Sequence, residues 1–191
     1  MFALHKVVEG KLYALVTNEL DDGHEQSDAL HDLFENWQDV SYIHRFFKKN
    51  QAVLSYLGLS RPQAIEQVLH ESKNFYSALL EATNSDDFSR EIDKLFEPLH
   101  KNPQTDVSLL QLKAYGGATL PSITRIYAIK LKDNAIVIVG GLIKSSQALQ
   151  NTKDGKELLN LIKQLTRFLN DKKLIDSKEL QKITRITDLY E

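Results

Sequence analysis

His24, Asp28 and His31 stand at i, i+4 and i+7, a spacing that puts all three on one face if the segment is helical. Side chains of these types on one face are what a divalent metal needs, but the spacing matches no established helical zinc motif. The start of the segment, NELDDGHEQSD, also reads as a polar loop, so a solvated face is expected and no metal site. The chain has no cysteine, which excludes thiolate metal sites, structural disulfides and cysteine catalysis. GGLIKSS at 140–146 lacks the glycine–four residues–glycine–lysine spacing of a phosphate loop, and there is no GxSxG or dinucleotide fingerprint. Arg61 and His70, and likewise Arg90 and His100, are too far apart for the Arg/His pair of a helical ribonuclease.

RIYAIKLKDNAIVIVGGLIKSSQ, residues 125–147, carries the remaining polar constellation: Arg125, Tyr127, Lys130, Lys144 and Gln147. Each also has a purely structural reading. Tyr127 alternates with Ile123 and Ile129 and shares their apolar face; Arg125 can pair with the acidic half of the chain; Lys144 can be a surface lysine; Gln147 can cap the helix that follows. Residues 1–119 hold 11 Lys and Arg against 18 Asp and Glu, whereas residues 120–191 hold 13 against 8. The basic part is therefore either attracted to the acidic part or turned toward a polyanion such as RNA. An overall pI near 6.3 argues against a general nucleic-acid coat.

The elements that must position these residues follow from periodicity. FALHKVV and KLYALV flank Glu9-Gly10 as a hairpin, and Ile123–Leu131 and AIVIV flank Asp133-Asn134 as another. AIVIV is apolar at every position, which predicts a strand covered on both faces, between two neighbours and near Leu12–Val16. Gly140 and Gly141 are expected to turn the chain out of that strand. VSLLQLKAY (107–115) is read as a strand.

Between the hairpins, Leu30, Leu33, Phe34 and Trp37 predict an amphipathic helix, and Ile43, Phe46 and Phe47 a second with Ser41 as its cap. Ser60-Arg61-Pro62 opens the longest helix, and Asn84–Asp87 starts another that ends before Pro98. Gly155–Asn170 is strongly amphipathic. A weaker helix is expected over 177–190, with Asp176 as its cap.

The fold class is thus α+β: an antiparallel sheet built from N- and C-terminal hairpins, with a helical middle and C-terminal helices packed on it. One domain is expected over 1–191, with a helical elaboration at about 25–100. MFALHKVVEGKLYALV is too charged for a signal peptide and no run is long and apolar enough to span a membrane, which predicts a cytoplasmic protein.

Arg-x-Tyr on a strand, an Asp-Asn turn, an apolar strand, Gly-Gly, then x-x-Lys-x-x-Gln and a Lys/Glu/Leu-rich helix resemble the C-terminal part of the RelE/HigB-like toxins of bacterial toxin–antitoxin systems, especially the phage-derived branch. The resemblance covers about residues 120–172. It implies an mRNA endoribonuclease that inhibits translation, needs no cofactor, and is held in check by a helix-turn-helix type protein antitoxin; mRNA or the ribosome is its partner. It also implies cleavage by the RNA's own 2′-hydroxyl, with Arg125, Tyr127 and Lys144 as catalytic residues and Gln147 and Lys130 on the substrate. Arg and Lys supply charge for the pentacovalent phosphate, and Tyr stacks on a base or moves a proton. The family's terminal catalytic strand has no counterpart in DSKELQKITRITDLYE. The rival reading is a non-enzymatic protein- or RNA-binding module derived from the same fold.

Overall fold

The computed structural model describes residues 2–18, 27–99, 109–115, 122–144 and 151–185. Both expected hairpins form. Strands β1 (Leu4–Val8) and β2 (Leu12–Asn18) pair antiparallel across a turn in which Gly10 has φ 71°. β6 (Thr124–Lys130) and β7 (Ile136–Ile143) pair across a turn in which Asn134 takes φ 69°, a left-handed conformation that asparagine tolerates. Leu110–Tyr115 is indeed a strand, β5, lying between β6 and the short β4 (Phe96–Pro98).

The class is α+β, but the sheet is mixed rather than antiparallel. Its order is β4-β5-β6-β7-β2-β1-β8, with β8 at Thr184–Arg185 and β3 (Ser27–Asp28) beside β2. The hairpins join through β2 and β7, which run parallel with Leu12 opposite Ile136. A parallel pair needs a long crossover, and the whole helical middle supplies one.

That middle is α1 (Ala29–Gln38), α2 (Val40–Lys49), α3 (Gln51–Leu57), α4 (Arg61–Asn84) and α5 (Phe88–Leu95). Ser60 and Gln63 form a capping box on α4, with Pro62 in the first turn. Asp39, not Ser41, caps α2: its carboxylate accepts from the Ser41 N–H, because the break between α1 and α2 is a single residue. Asp28 is likewise a cap rather than a helix-face residue. It accepts from the N–H groups of Leu30 and His31 and from His5 Nδ1 at 3.0 Å, wholly buried. The spacing that invited a metal is thus broken, and His24 lies outside the described residues. Among the described residues no group of three or more His, Cys, Asp or Glu is placed to hold a metal ion.

The helices cover both faces of the sheet. Leu12, Ala14, Ile126, Ala128, Ile136 and Ile138 meet Leu33, Trp37, Phe47, Phe75 and Ile92 of α1–α5. Tyr13, Tyr127, Ile129, Val137 and Val139 meet Ile162, Leu165 and Leu169 of α6 (Lys153–Asp171). AIVIV accordingly lies between β6 and β2 with both faces covered, as its composition requires. No helix among the described residues is long and apolar enough to cross a membrane.

Gly140 and Gly141 do not end the strand, for β7 runs on to Ile143. Gly140 (φ 154°) sits at a bulge, where Val139 is the extra residue between the pairs Ala128–Ile138 and Tyr127–Gly140. Gly141 permits close approach: a Cβ there would lie 2.6 Å from the Arg125 carbonyl oxygen and 2.7 Å from Leu33 Cδ1.

The C-terminal helix is shorter than its periodicity promised. α7 (Ser177–Leu180) has the expected Asp176 cap, then gives way to β8 (Thr184–Arg185), parallel to β1. The free edge of β1 wins over the weak helix: the Leu4 N–H donates to Ile183 O at 3.1 Å. Leu180 is fully buried and Ile183 partly so, while Lys178 and Lys182 are exposed. Deleting 177–191 should remove about 2 kcal/mol of apolar burial and lower Tm by roughly 4–8 °C in thermal unfolding. An unchanged Tm would refute this account of the tail.

Candidate functional site: a cation–aromatic corner of the sheet

Side chains alternate along a strand, so Arg125, Tyr127 and Ile129 leave β6 on the α6 face. On the same face of β5 stand Gln111, Lys113 and Tyr115, because the antiparallel register sets Lys113 opposite Tyr127 and Tyr115 opposite Arg125. α6 packs on this face. Its Leu158 lies over Gly140 and its Thr166 accepts from Gln111 Nε2 at 3.2 Å. The corner holding Lys113, Tyr115 and Arg125 is only half-buried.

The Arg125 guanidinium carbon lies 3.8 Å from the centre of the Tyr115 ring. Nη1 donates to the carbonyls of Ser122 and Thr124 at 3.2 and 3.1 Å. Nη2 and Nε have no hydrogen-bond partner among the described residues. Burial lowers the Arg125 pKa while Tyr115, Tyr127, Glu71 and Glu97 oppose it, and an arginine stays charged under that pressure. Lys113 Nζ lies 3.2 Å from the Glu97 carboxylate and 5.7 Å from the Tyr115 ring centre. A hydrogen bond from Tyr115 holds the Glu97 carboxyl below the usual range; partial burial opposes this and Lys113 assists it. Two cations, one carboxylate and an aromatic face thus share one corner, with the buried Glu71 acting on Arg125 from behind.

The other expected site residues fall elsewhere. Lys144 is at the same end of the sheet: its N–H donates to Ile123 O at 2.7 Å. Its Nζ, however, lies 5.3 Å from the ring centre of Tyr56 on α3, a half-exposed side chain on a different element from Tyr115. Lys130 is five residues along β6 from Arg125, about 16 Å away in an extended strand, and points to the other face. There it ion-pairs with Asp93 of α5 at 2.6 Å, joining the basic part of the chain to the acidic part. Tyr127 is only 3% exposed, and burial pushes its hydroxyl up to about 12, with Arg125 opposing. Gln147 lies outside the described residues.

Comparison with known proteins found no family model, no curated protein and no solved structure that matches this chain.

Three members of the corner, Glu97, Lys113 and Tyr115, escaped sequence reasoning. The usable signal was Lys-x-Tyr in LQLKAY, an alternation that mirrors Arg-x-Tyr in RIYAIK. A strand pair with those two patterns can stack them, but only if the register aligns Tyr115 with Arg125.

A cleft of about 420 Å³ opens between α2 and the start of α6, lined by Tyr42, Arg45, Lys49, Asn50, Lys153 and Asp154. Two of its cations have acidic neighbours, Arg45 with Asp39 and Lys153 with Glu157, both at 3.8 Å.

Proposed function

We propose that the protein is a RelE/HigB-like toxin that acts in the cytoplasm on single-stranded mRNA at the Arg125 corner and is restrained by a protein antitoxin. The observation that carries this reading is the Arg125 guanidinium stacked on Tyr115 with Lys113 alongside. Single-stranded RNA offers what such a corner takes: phosphates for the cations, and a base to stack on an aromatic or guanidinium plane. If the 2′-hydroxyl of the bound nucleotide loses its proton to solvent and attacks the adjacent 3′-phosphorus, the P–O5′ bond breaks and solvent returns a proton to the leaving 5′-oxygen; Arg125 and Lys113 stabilise the charge that accumulates on the oxygens of the pentacovalent phosphorus. Glu97, held as a carboxylate, is a weak base near neutral pH, so charge stabilisation and orientation supply most of the rate.

A second reading, a binding module that holds RNA or protein without cutting it, has one specific observation in its favour. Tyr127, the expected proton-moving residue, is buried and keeps its proton to about pH 12.

Expression without a partner separates the two. The toxin reading expects slowed growth and translation, relieved by Arg125→Ala combined with Lys113→Ala. A harmless protein that still binds single-stranded RNA in vitro leaves the binding module, and a harmless protein that binds none overturns the toxin and the RNA-binding module alike.

A further inference from the structure

Glu71 is a carboxylate in the middle of α4, 2% exposed, with no ion pair to a lysine or arginine among the described residues. A buried charge of this kind persists only when its lone pairs are filled by donors. Here a single tripeptide, Ser122-Ile123-Thr124, fills most of them. Oε2 accepts from the Ser122 hydroxyl at 2.9 Å, the Thr124 N–H at 2.8 Å and the Thr124 hydroxyl at 2.6 Å. The Ile123 N–H reaches both oxygens at 3.1 Å, and Gln67 Nε2 donates to Oε1 at 2.8 Å.

The same tripeptide holds Arg125 from its other side. The carbonyls that take the Arg125 Nη1 protons are those of Ser122 and Thr124. The donors of this segment turn toward Glu71 and two of its acceptors turn toward the guanidinium. The carboxylate therefore fixes the peptide planes against which Arg125 lies, and its charge adds to the field on the guanidinium.

We infer that Glu71 is the positioning residue for the Arg125 guanidinium, fixing it over Tyr115 so that Nη2 and Nε face a phosphodiester of single-stranded RNA. The choice of phosphodiester rests on the function proposed above; the positioning does not. Glu71 touches no ligand in this arrangement. Its carboxamide replacement keeps the volume but turns an N–H₂ toward donors that need an acceptor, so the tripeptide must shift.

Two readouts on the full-length protein test this. The first is the Arg125 side-chain Nε–Hε resonance in ¹⁵N spectra, assigned by its loss in Arg125→Lys. In Glu71→Gln it should move toward the free-arginine position and exchange faster with water. Thr124→Val, a milder change that keeps the carboxylate, should move it in the same direction by less. The second is affinity for a fluorescein-labelled oligouridine. Glu71→Gln should weaken it by about tenfold or more, since small misplacements of a binding group carry large penalties. In an Arg125→Ala background the same change should have no further effect. An unmoved resonance in both variants, or additive losses in the double variant, would overturn the inference. If Glu71→Gln fails to fold, Thr124→Val decides by the same two readouts. If the wild-type protein does not bind oligouridine, the proposed function falls, and the resonance still decides the positioning.

Discussion

Replacing Gly141 by valine should lower the melting temperature by about 6–12 °C, corresponding to roughly 3 kcal/mol in a domain of this length. The first atom a side chain would meet is the Arg125 carbonyl oxygen, 2.6 Å from the Cβ position. That oxygen belongs to β6, held between β5 and β7, so it cannot swing aside as a flexible side chain would. The second is Leu33 of α1, at 2.7 and 3.2 Å through its two methyl groups. Leu33 can re-rotate and the β6 backbone cannot, which gives the prediction an internal check. Leu33→Ala in the Gly141→Val background should recover only a minor part of the loss. Thermal unfolding of the four proteins measures both effects. A Gly141→Val protein as stable as the wild type, or complete rescue by Leu33→Ala, would mean that the β6 backbone is not the obstacle. Because the displaced oxygen is that of Arg125 itself, the same variant should also weaken the RNA binding proposed for this corner.

The two glycines show where local reading reaches its limit. Their presence after an apolar strand was plain, and a turn was the natural inference from conformational freedom alone. What the strand needed there was a bulge at Gly140 and room for Leu33 at Gly141, and both come from partners distant in sequence. The same division runs through the fold. Features decided within a few residues were legible: the Gly10 and Asn134 turns, the Ser60 and Asp176 caps, the two covered faces of AIVIV. Features decided by long-range competition were not. The parallel union of β2 with β7 has no local signature, and the stripe Leu180, Ile183, Ile186 promised a longer helix until the open edge of β1 claimed Ile183 and Thr184.

The candidate site follows that rule. Arg125 was recognisable from its own strand. Lys113, Tyr115 and Glu97 became its neighbours only through the registers of β4, β5 and β6. Lys130, one face over and five residues along, was separated from it by the same geometry and given to Asp93. The corner therefore loses two expected cations, Lys130 and Lys144, gains Lys113, and takes Tyr115 as its aromatic platform in place of the buried Tyr127.

Tyr127 supplies the last prediction, because its two substitutions should separate structure from chemistry. Its ring is 3% exposed within the apolar layer that faces Ile162 and Leu165, so Tyr127→Ala should cost about 3–5 kcal/mol, as deletion of a buried aromatic does. Tyr127→Phe keeps the ring and should keep the fold. It should also leave the proposed RNA binding, and any cleavage, within about twofold, since a hydroxyl pushed up to about 12 neither takes up nor releases a proton at neutral pH. The hydroxyl should instead show itself in alkali. Burial raises its pKa from 10.0 to about 12, so between those values the folded state holds a proton that the unfolded state has released. Stability must then fall as pH rises through that window, by on the order of 2 kcal/mol for a two-unit shift, and be fully present below pH 10. Tyr127→Phe should flatten this alkaline limb in denaturant titrations at pH 9, 10 and 11 while matching the wild-type slope at pH 7 to 8. Loss of activity at pH 7 in a normally folded Tyr127→Phe would return the residue to the catalytic set and remove the main support for the non-cutting alternative.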